Sequence, residues 1–198
     1  GLRRLPDGRP LELLVETAGE DTEQVDLLEL VRDDWLEIGL RIHTKPSERE
    51  VFRNRIFSGE ALMTVWYGLE NGIPTVDMSP HEFAPTIQYD QPQWPKWGQW
   101  RETKGKAGEA PDLPSAVRLA ELFDAWAITS TSAERLPIWN EILATYAAEC
   151  FTIGTVGDVM QPIVVRQELR NVPEKAIYSW EPHAQLGLYR PDTFWWDR

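Results

Sequence analysis

Residues 11–67 read LELLVETAGEDTEQVDLLELVRDDWLEIGLRIHTKPSEREVFRNRIFSGEALMTVWY, and the predicted fold follows from this segment. It contains three short apolar runs, at residues 11–17, 40–44 and 61–67, each of a length typical of a strand. The two segments between these runs have the apolar spacing of helices. Strands and helices that alternate in this order predict an α/β fold with a mixed, mainly parallel sheet flanked by helices.

Both segments between the runs carry residues that favour helix ends. In the first, Asp21 can cap the helix and Gly39 follows its last apolar residue. In the second, Ser47 and Glu50 have the spacing of a capping box. The predicted core-facing side chains are Leu27, Leu28, Val31, Trp35 and Ile38 in the first helix and Phe52 and Ile56 in the second.

After residue 67 the regular alternation stops. Residues 68–114 show little periodicity and contain many proline, glycine and tryptophan residues. We therefore expect a long irregular excursion, which in a compact protein is usually either functional or disordered.

Two more helices are predicted beyond the excursion. The second of them begins with Thr131 and Glu134 as a capping box, and Pro137 predicts either a kink or a start nearer Arg135. Residues 151–156 and 163–166 have the composition of two further short strands. The tail from residue 169 is predicted to be irregular.

Composition excludes several classes of function. The chain has 198 residues, 42% of them hydrophobic, which is enough for a folded core, and a net charge of −12. An acidic surface repels phosphate backbones, so nucleic acid is excluded as a partner. The single cysteine, Cys150, is predicted to be a small core residue, and it permits neither an internal disulfide nor a zinc site of paired cysteines.

No motif of a known catalytic site is present in the sequence. It lacks the nucleophile elbow, the phosphate-binding loop and the zinc-binding helix. The three histidines (His43, His81 and His183) are far apart, so neither a metal nor a catalytic base is predicted. We predict no cofactor and no enzymatic activity, with a carbohydrate-active enzyme that uses a carboxylate pair as the alternative.

Tryptophan is the unusual residue type of this chain, with ten copies. Trp94, Trp97 and Trp100 fall in the irregular excursion, where no helix or strand pattern buries them. Indole rings there could stack on a ligand, or they could form a small core under a long loop. By contrast, Trp35, Trp126 and Trp139 lie on apolar helix faces and are predicted to be core.

Position favours a ligand site near residue 66. Ligands of open α/β sheets bind beyond the carboxyl ends of the strands. Trp66 and Tyr67 end the third predicted strand, and Glu70 and Asn71 follow in its loop. The rings offer apolar area, while the carboxylate and the amide could orient a ligand.

Several segments in this order resemble the family 5 extracytoplasmic solute-binding proteins, which are the dipeptide and oligopeptide receptors of ABC importers. The matching segments are residues 7–11 (DGRPL), 11–15 (LELLV), 35–42 (WLEIGLRI), 57–60 (FSGE) and 61–66 (ALMTVW). The resemblance implies the C-terminal lobe of a type II periplasmic-binding-protein fold, a periplasmic or other extracytoplasmic location, and an ABC permease as the membrane partner. It also implies that residues 1–160 form a ligand-binding lobe and that residues 161–198 return to an N-terminal lobe.

The ligand class stays open between peptides and oligosaccharides. Peptide binders of this family use an acid after the third strand to hold the ligand's amino terminus, and Glu70 and Asp77 are the acids of residues 68–80 here. The tryptophan-rich segment resembles instead the branch that includes oligosaccharide binders. We predict ligand contacts from Trp66, Tyr67, Glu70, Asn71, Trp97 and Trp100. A carbohydrate-binding module unrelated to transport is a further alternative.

Overall fold

The computed structural model describes residues 1–20, 22–68, 75–89, 91–157, 159–160, 162–176 and 190–197. The chain divides into two compact units. The first unit comprises Gly1–Trp66 and Ser79–Phe151, and the second unit comprises Tyr67–Met78 and Thr152–Arg198. In the described part of the chain, no helix is long and apolar enough to cross a membrane.

A parallel three-stranded sheet lies in the first unit, with strand order β2-β1-β3. Its strands are β1 (Glu12–Ala18), β2 (Arg41–Ser47) and β3 (Met63–Thr64). Helices α1 (Thr22–Glu37) and α2 (Arg49–Phe57) connect them. The predicted alternation and the parallel sheet are confirmed, although β3 is shorter than the predicted run. The ladder continues at Val65, whose amide donates to the Glu16 carbonyl oxygen at 3.3 Å.

The two crossover helices bring separate apolar clusters to the sheet. Leu28 of α1 packs with Val15 and Ile42 of the strands, and Val31 and Trp35 contact this cluster as predicted. A second cluster joins α2 to the sheet through Phe52, Ile56 and Ala18, each at most 3% exposed. The prediction was wrong for Ile38, which is 53% exposed because α1 has already ended at Glu37.

Strand β2 continues through Pro46 because the backbone of that residue faces away from β1. The Arg41 amide donates to Leu11, and the Ser47 carbonyl accepts from Gly19, so the odd-numbered residues direct their backbone groups toward β1. Backbone direction alternates along a strand. Pro46 therefore faces the free edge of the sheet, where its missing N–H costs no ladder bond.

The capping box predicted at the start of α2 does not form. Ser47 is the last residue of β2, and the N-cap of α2 is Glu48, which makes no capping hydrogen bond with its side chain. In contrast, the capping box of α5 (Ser132–Glu149) is confirmed, since the Thr131 hydroxyl accepts from the Glu134 amide. This helix includes Pro137 and does not start near Arg135.

Part of the predicted irregular excursion is helical. Helix α3 (Pro95–Glu102) precedes α4 (Pro114–Ile128), and α4 packs on α5. Gly98 in the middle of α3 is required, because a Cβ there would lie 2.2 Å from the carbonyl oxygen of Ile87. The position of this helix thus depends on a close tertiary contact, and such a contact leaves no apolar periodicity in the sequence.

The second unit contains a two-stranded antiparallel ribbon of β4 (Leu169–Arg170) and β5 (Trp195–Trp196). Arg170 also binds Asp197 through Nε and Nη2, at 3.1 and 2.7 Å. The strands predicted at residues 151–156 and 163–166 are wrong, since the structure assigns no strand to the described residues of either segment. Apolar composition favours a strand, but only a paired neighbour forms one.

The prediction that Cys150 is a core residue is also wrong. It is exposed, and it forms the C-cap of α5 in the left-handed conformation with φ of 52°. A residue that ends a helix in this way lies beyond the last packed turn.

Candidate ligand-binding site

The carboxyl edge of the sheet is held together where β1 and β2 end. The Gly19 amide donates to the Ser47 carbonyl oxygen at 2.7 Å, and a Cβ on Gly19 would lie 3.2 Å from the Cβ of Pro46. This close approach leaves little room between the two strand ends.

Trp66 follows β3 at this edge, where the sequence predicts a ligand site. Its ring lies 5.6 Å from that of Phe52, and it packs on the cluster that also contains Ala18 and Ile56. Trp66 is thus half-buried and part of its ring supports the fold. The next predicted site residue, Tyr67, is 61% exposed and belongs to the second unit.

Glu70 and Asn71 lie outside the residues that the structure describes. Their predicted role in orienting a ligand therefore stays a prediction. It rests on their sequence position after β3.

Trp97 and Trp100 lie on α3, where a spacing of three places them on one side of the helix. Trp97 is half-buried and Trp100 is 39% exposed. The indole of Trp100 lies beside the turn at Gly105, where an added Cβ would come within 3.4 Å of Nε1. Their roles in binding stay predictions.

Helix α3 contacts the last turn of α2. Gln88 links the two helices, because its Nε2 donates to the Phe57 carbonyl oxygen at 2.9 Å and its Oε1 accepts from Gln99 of α3 at 3.1 Å. Trp66 contacts α2 at Phe52, which lies about 7.5 Å before Phe57 along the helix axis.

Trp94 belongs to an aromatic cluster, which favours the small-core interpretation for this residue. It is 3% exposed and makes edge contacts with Phe151 and Tyr146, whose ring centroids lie 5.1 and 6.1 Å away. Tyr146 also contacts Phe83 at 5.1 Å and accepts a hydrogen bond from Gln93. Of the predicted core tryptophans, Trp139 is buried against Phe83, whereas Trp35 and Trp126 are half-buried.

A buried ion pair at Glu16, which the sequence did not reveal, fixes α2 to the sheet. Its carboxylate is 3% exposed and accepts from Arg55 through Nε at 2.6 Å and Nη2 at 2.8 Å, while Lys45 Nζ lies at 3.5 Å. The hydrogen bonds from Arg55 keep the pKa of Glu16 below its usual value, although burial acts in the opposite direction. With both oxygens engaged, this group has a structural role.

The two histidines that the structure describes lie in different elements of the first unit. His43 lies 3.2 Å from Glu12 on the sheet surface, His81 is in a short 3-10 helix (His81–Phe83), and His183 lies outside the described residues. Among the residues with a described position, no group of three His, Cys, Asp or Glu could hold a metal ion.

Two shallow depressions occur away from the predicted tryptophans. One, of about 400 Å³, lies beside β2 and is lined by Arg32, Leu36, Arg41, Ile42, His43 and Thr44. The other, of about 340 Å³, is in the second unit and is lined by Arg166, Glu168, Trp196 and Asp197. Neither includes Trp66, Trp97 or Trp100 in its lining.

Comparison with known proteins gives matches among solved structures. No protein-family model and no curated protein matches this sequence. The oligopeptide-binding protein OppA is 25% identical with a TM-score of 0.64, and the match covers 87% of this chain and 28% of OppA.

Two further structures share the fold at lower identity. The periplasmic binding protein MelB of Agrobacterium fabrum, in complex with stachyose, is 16% identical with a TM-score of 0.58, and covers 76% of this chain and 21% of MelB. NikA of Brucella suis, in complex with Fe(III)-EDTA, is 18% identical with a TM-score of 0.53, and the match covers 76% of this chain and 27% of NikA. The chain spans little more than a quarter of these proteins at most. The structure thus confirms that the chain resembles the family 5 extracytoplasmic solute-binding proteins and has the fold of a periplasmic-binding-protein lobe.

Proposed function

We propose that this chain is part of the solute-binding component of an ABC importer and captures peptides or oligosaccharides for delivery to a membrane permease. The supporting observation is the match to OppA over 87% of the chain. MelB, solved with stachyose, has the same fold, so oligosaccharides stay in the proposal beside peptides as a ligand class. A receptor with this task acts outside the cytoplasm.

The proposed ligand contacts come from Trp66, Tyr67, Trp97 and Trp100 through stacking, with Glu70 and Asn71 orienting the ligand. Trp100 and Tyr67 support this role most directly, because 39% and 61% of their surfaces are exposed. Large aromatic rings in contact with solvent offer flat apolar area to sugar rings or peptide side chains.

The division into a lobe of residues 1–160 and a tail of residues 161–198 is part of the same proposal. The tail would pack against a second lobe of the receptor. Exposed apolar side chains before and within the tail support this arrangement, and the most exposed are Met160 at 88% and Val164 at 98%. Such side chains are expected where further polypeptide covers them.

The test is a thermal-shift screen of the receptor polypeptide that contains these residues. The panel consists of di- to pentapeptides and α- and β-linked oligosaccharides. A ligand that binds only the folded state stabilises it by about 2.7 kcal/mol at a hundredfold excess over Kd. No shift with any member of either class would contradict the proposal.

The receptor should turn nothing over. OppA, MelB and NikA are named or described by what they bind. Incubation with chromogenic glycosides should release no chromophore, and release would favour the carbohydrate-active enzyme instead.

A further inference from the structure

The free edge of β2 presents backbone groups in the arrangement of an unfilled strand position. Because the odd-numbered residues face β1, the amides of Ile42 and Thr44 and the carbonyls of Ile42, Thr44 and Pro46 face outward. Within the described ranges, β1 is the one strand that pairs with β2. The outward groups could pair with an added strand.

Space for such a strand exists beside this edge. The depression of about 400 Å³ is lined by residues 41–44 of β2 and by Arg32 and Leu36 of α1. Leu36 is 49% exposed there and provides an apolar surface. An extended segment in this groove would contact the strand edge on one side and α1 on the other.

The side chains along β2 select the charge of the added strand. On the sheet face opposite α1, the outer row consists of Arg41, His43 and Lys45, which are 46%, 53% and 43% exposed. Their acidic partners Glu12 and Glu16 lie on β1, two strand positions away from an added strand. On this face, the nearest cross-strand neighbours of that strand would therefore all be basic, and opposite charges stabilise such pairs.

We propose that the free edge of β2 binds an extended, acidic segment of a partner polypeptide as a fourth, antiparallel strand of the sheet. This site is separate from the ligand site proposed above, and its test does not depend on that function. A second copy of the chain is a poor occupant. Any antiparallel pairing of two β2 edges places residues of the row Arg41, His43 and Lys45 opposite one another, and like charges there are destabilising.

The competing explanation is that Lys45 and Pro46 only protect the edge from pairing, as charges and prolines do on many edge strands. The two explanations differ in whether an acidic strand binds. The net charge of −12 repels an acidic peptide at long range. Binding should therefore be measured at about 0.15 M salt, where the Debye length is about 8 Å and local contacts dominate.

The experiment is fluorescence anisotropy of the 198-residue chain with a labelled pentapeptide of alternating glutamate and valine. The same peptide with glutamine in place of glutamate tests the charge preference, and we expect it to bind about tenfold more weakly. A third peptide, N-methylated at both valines, tests antiparallel backbone pairing without any change to the protein, because the valine amides face β2 when the glutamates lie opposite the basic row. We expect this peptide not to bind.

The matched protein variants are Thr44→Pro and Thr44→Val. Thr44→Pro removes only an outward N–H, and strand geometry at the preceding residue suits proline, so pairing with β1 is retained. It should weaken binding of the acidic peptide at least about fivefold, while Thr44→Val leaves it unchanged. Absence of binding, or equal binding of the acidic, glutamine and N-methylated peptides, would overturn the proposal.

Discussion

Replacing Glu16 with glutamine tests the importance of the buried ion pair. The substitution keeps the size of the side chain but removes its charge and turns one acceptor group toward Arg55 into a donor. A hydrogen bond to a charged group contributes about 1.5–3 kcal/mol. Arg55 is 29% exposed and keeps Glu60 as a partner at 2.8 Å, so the loss should lie near the lower end, about 2 kcal/mol.

Urea unfolding followed by tryptophan fluorescence measures this loss. With a slope of about 2 kcal/mol per molar urea, the midpoint of Glu16→Gln should fall by about 1 M at pH 7. The control is Glu12→Gln, which makes the same change on the same strand. Glu12 pairs with Arg41 and His43, but its side chain is 38% exposed, so its midpoint should not move resolvably.

The effect of Glu16 should depend on pH in a defined direction. Its pKa is lower in the folded protein than its ordinary value of 4.5. The ion pair therefore stabilises the protein fully above that value, and the contribution is lost as the pH falls through the folded pKa. The midpoint difference from wild type should persist down to about pH 5 and shrink below it. Equal midpoints at pH 7, or an equal loss in Glu12→Gln, would refute the reasoning.

Three other substitutions test separate parts of the structure. Gly98→Ala should destabilise the fold by about 1–3 kcal/mol, because the new methyl group would overlap the Ile87 carbonyl oxygen. An unchanged urea midpoint would contradict that contact. Thr131→Ala should cost about 1 kcal/mol through loss of the cap on the Glu134 amide, whereas Thr131→Ser should retain stability. Trp100→Ala should weaken ligand binding by the receptor at least about fivefold in calorimetry, with partial recovery in Trp100→Phe; unchanged affinity would remove Trp100 from the site.

The sequence predicts the β1-α1-β2-α2-β3 order because each element there has its own periodicity. Leu28, Phe52 and Ile56 are buried as their spacing requires. Helix α3 was missed for a physical reason, since its Gly98 breaks the apolar pattern and its position depends on contact with Ile87. The ion pair of Glu16 was missed for the same reason, because it depends on a tertiary contact with Arg55, which lies 39 residues away in the chain.

The candidate site was only partly predictable. Trp66 lies at the strand end as expected, but its packing on Phe52 depends on a helix face and could not be inferred from the strand alone. For Trp94, the contacts with Tyr146 and Phe151 join distant segments. Spacing could group the tryptophans, but it could not separate a packing residue from an exposed one.

The two wrong strand predictions and the exposed apolar residues of the second unit have a common physical cause. Residues 151–156 and 163–166 have the β-branched composition of strands, yet Ile153, Val156 and Val164 are 62%, 65% and 98% exposed. Burial of apolar surface is worth about 25 cal/mol per Å², and a strand also needs a hydrogen-bonded neighbour. In the receptor proposed above, packing of these segments against a second lobe would remove both deficits. Amide exchange there should then slow markedly in the receptor relative to the 198-residue chain, and equal exchange would show that these segments are exposed in both.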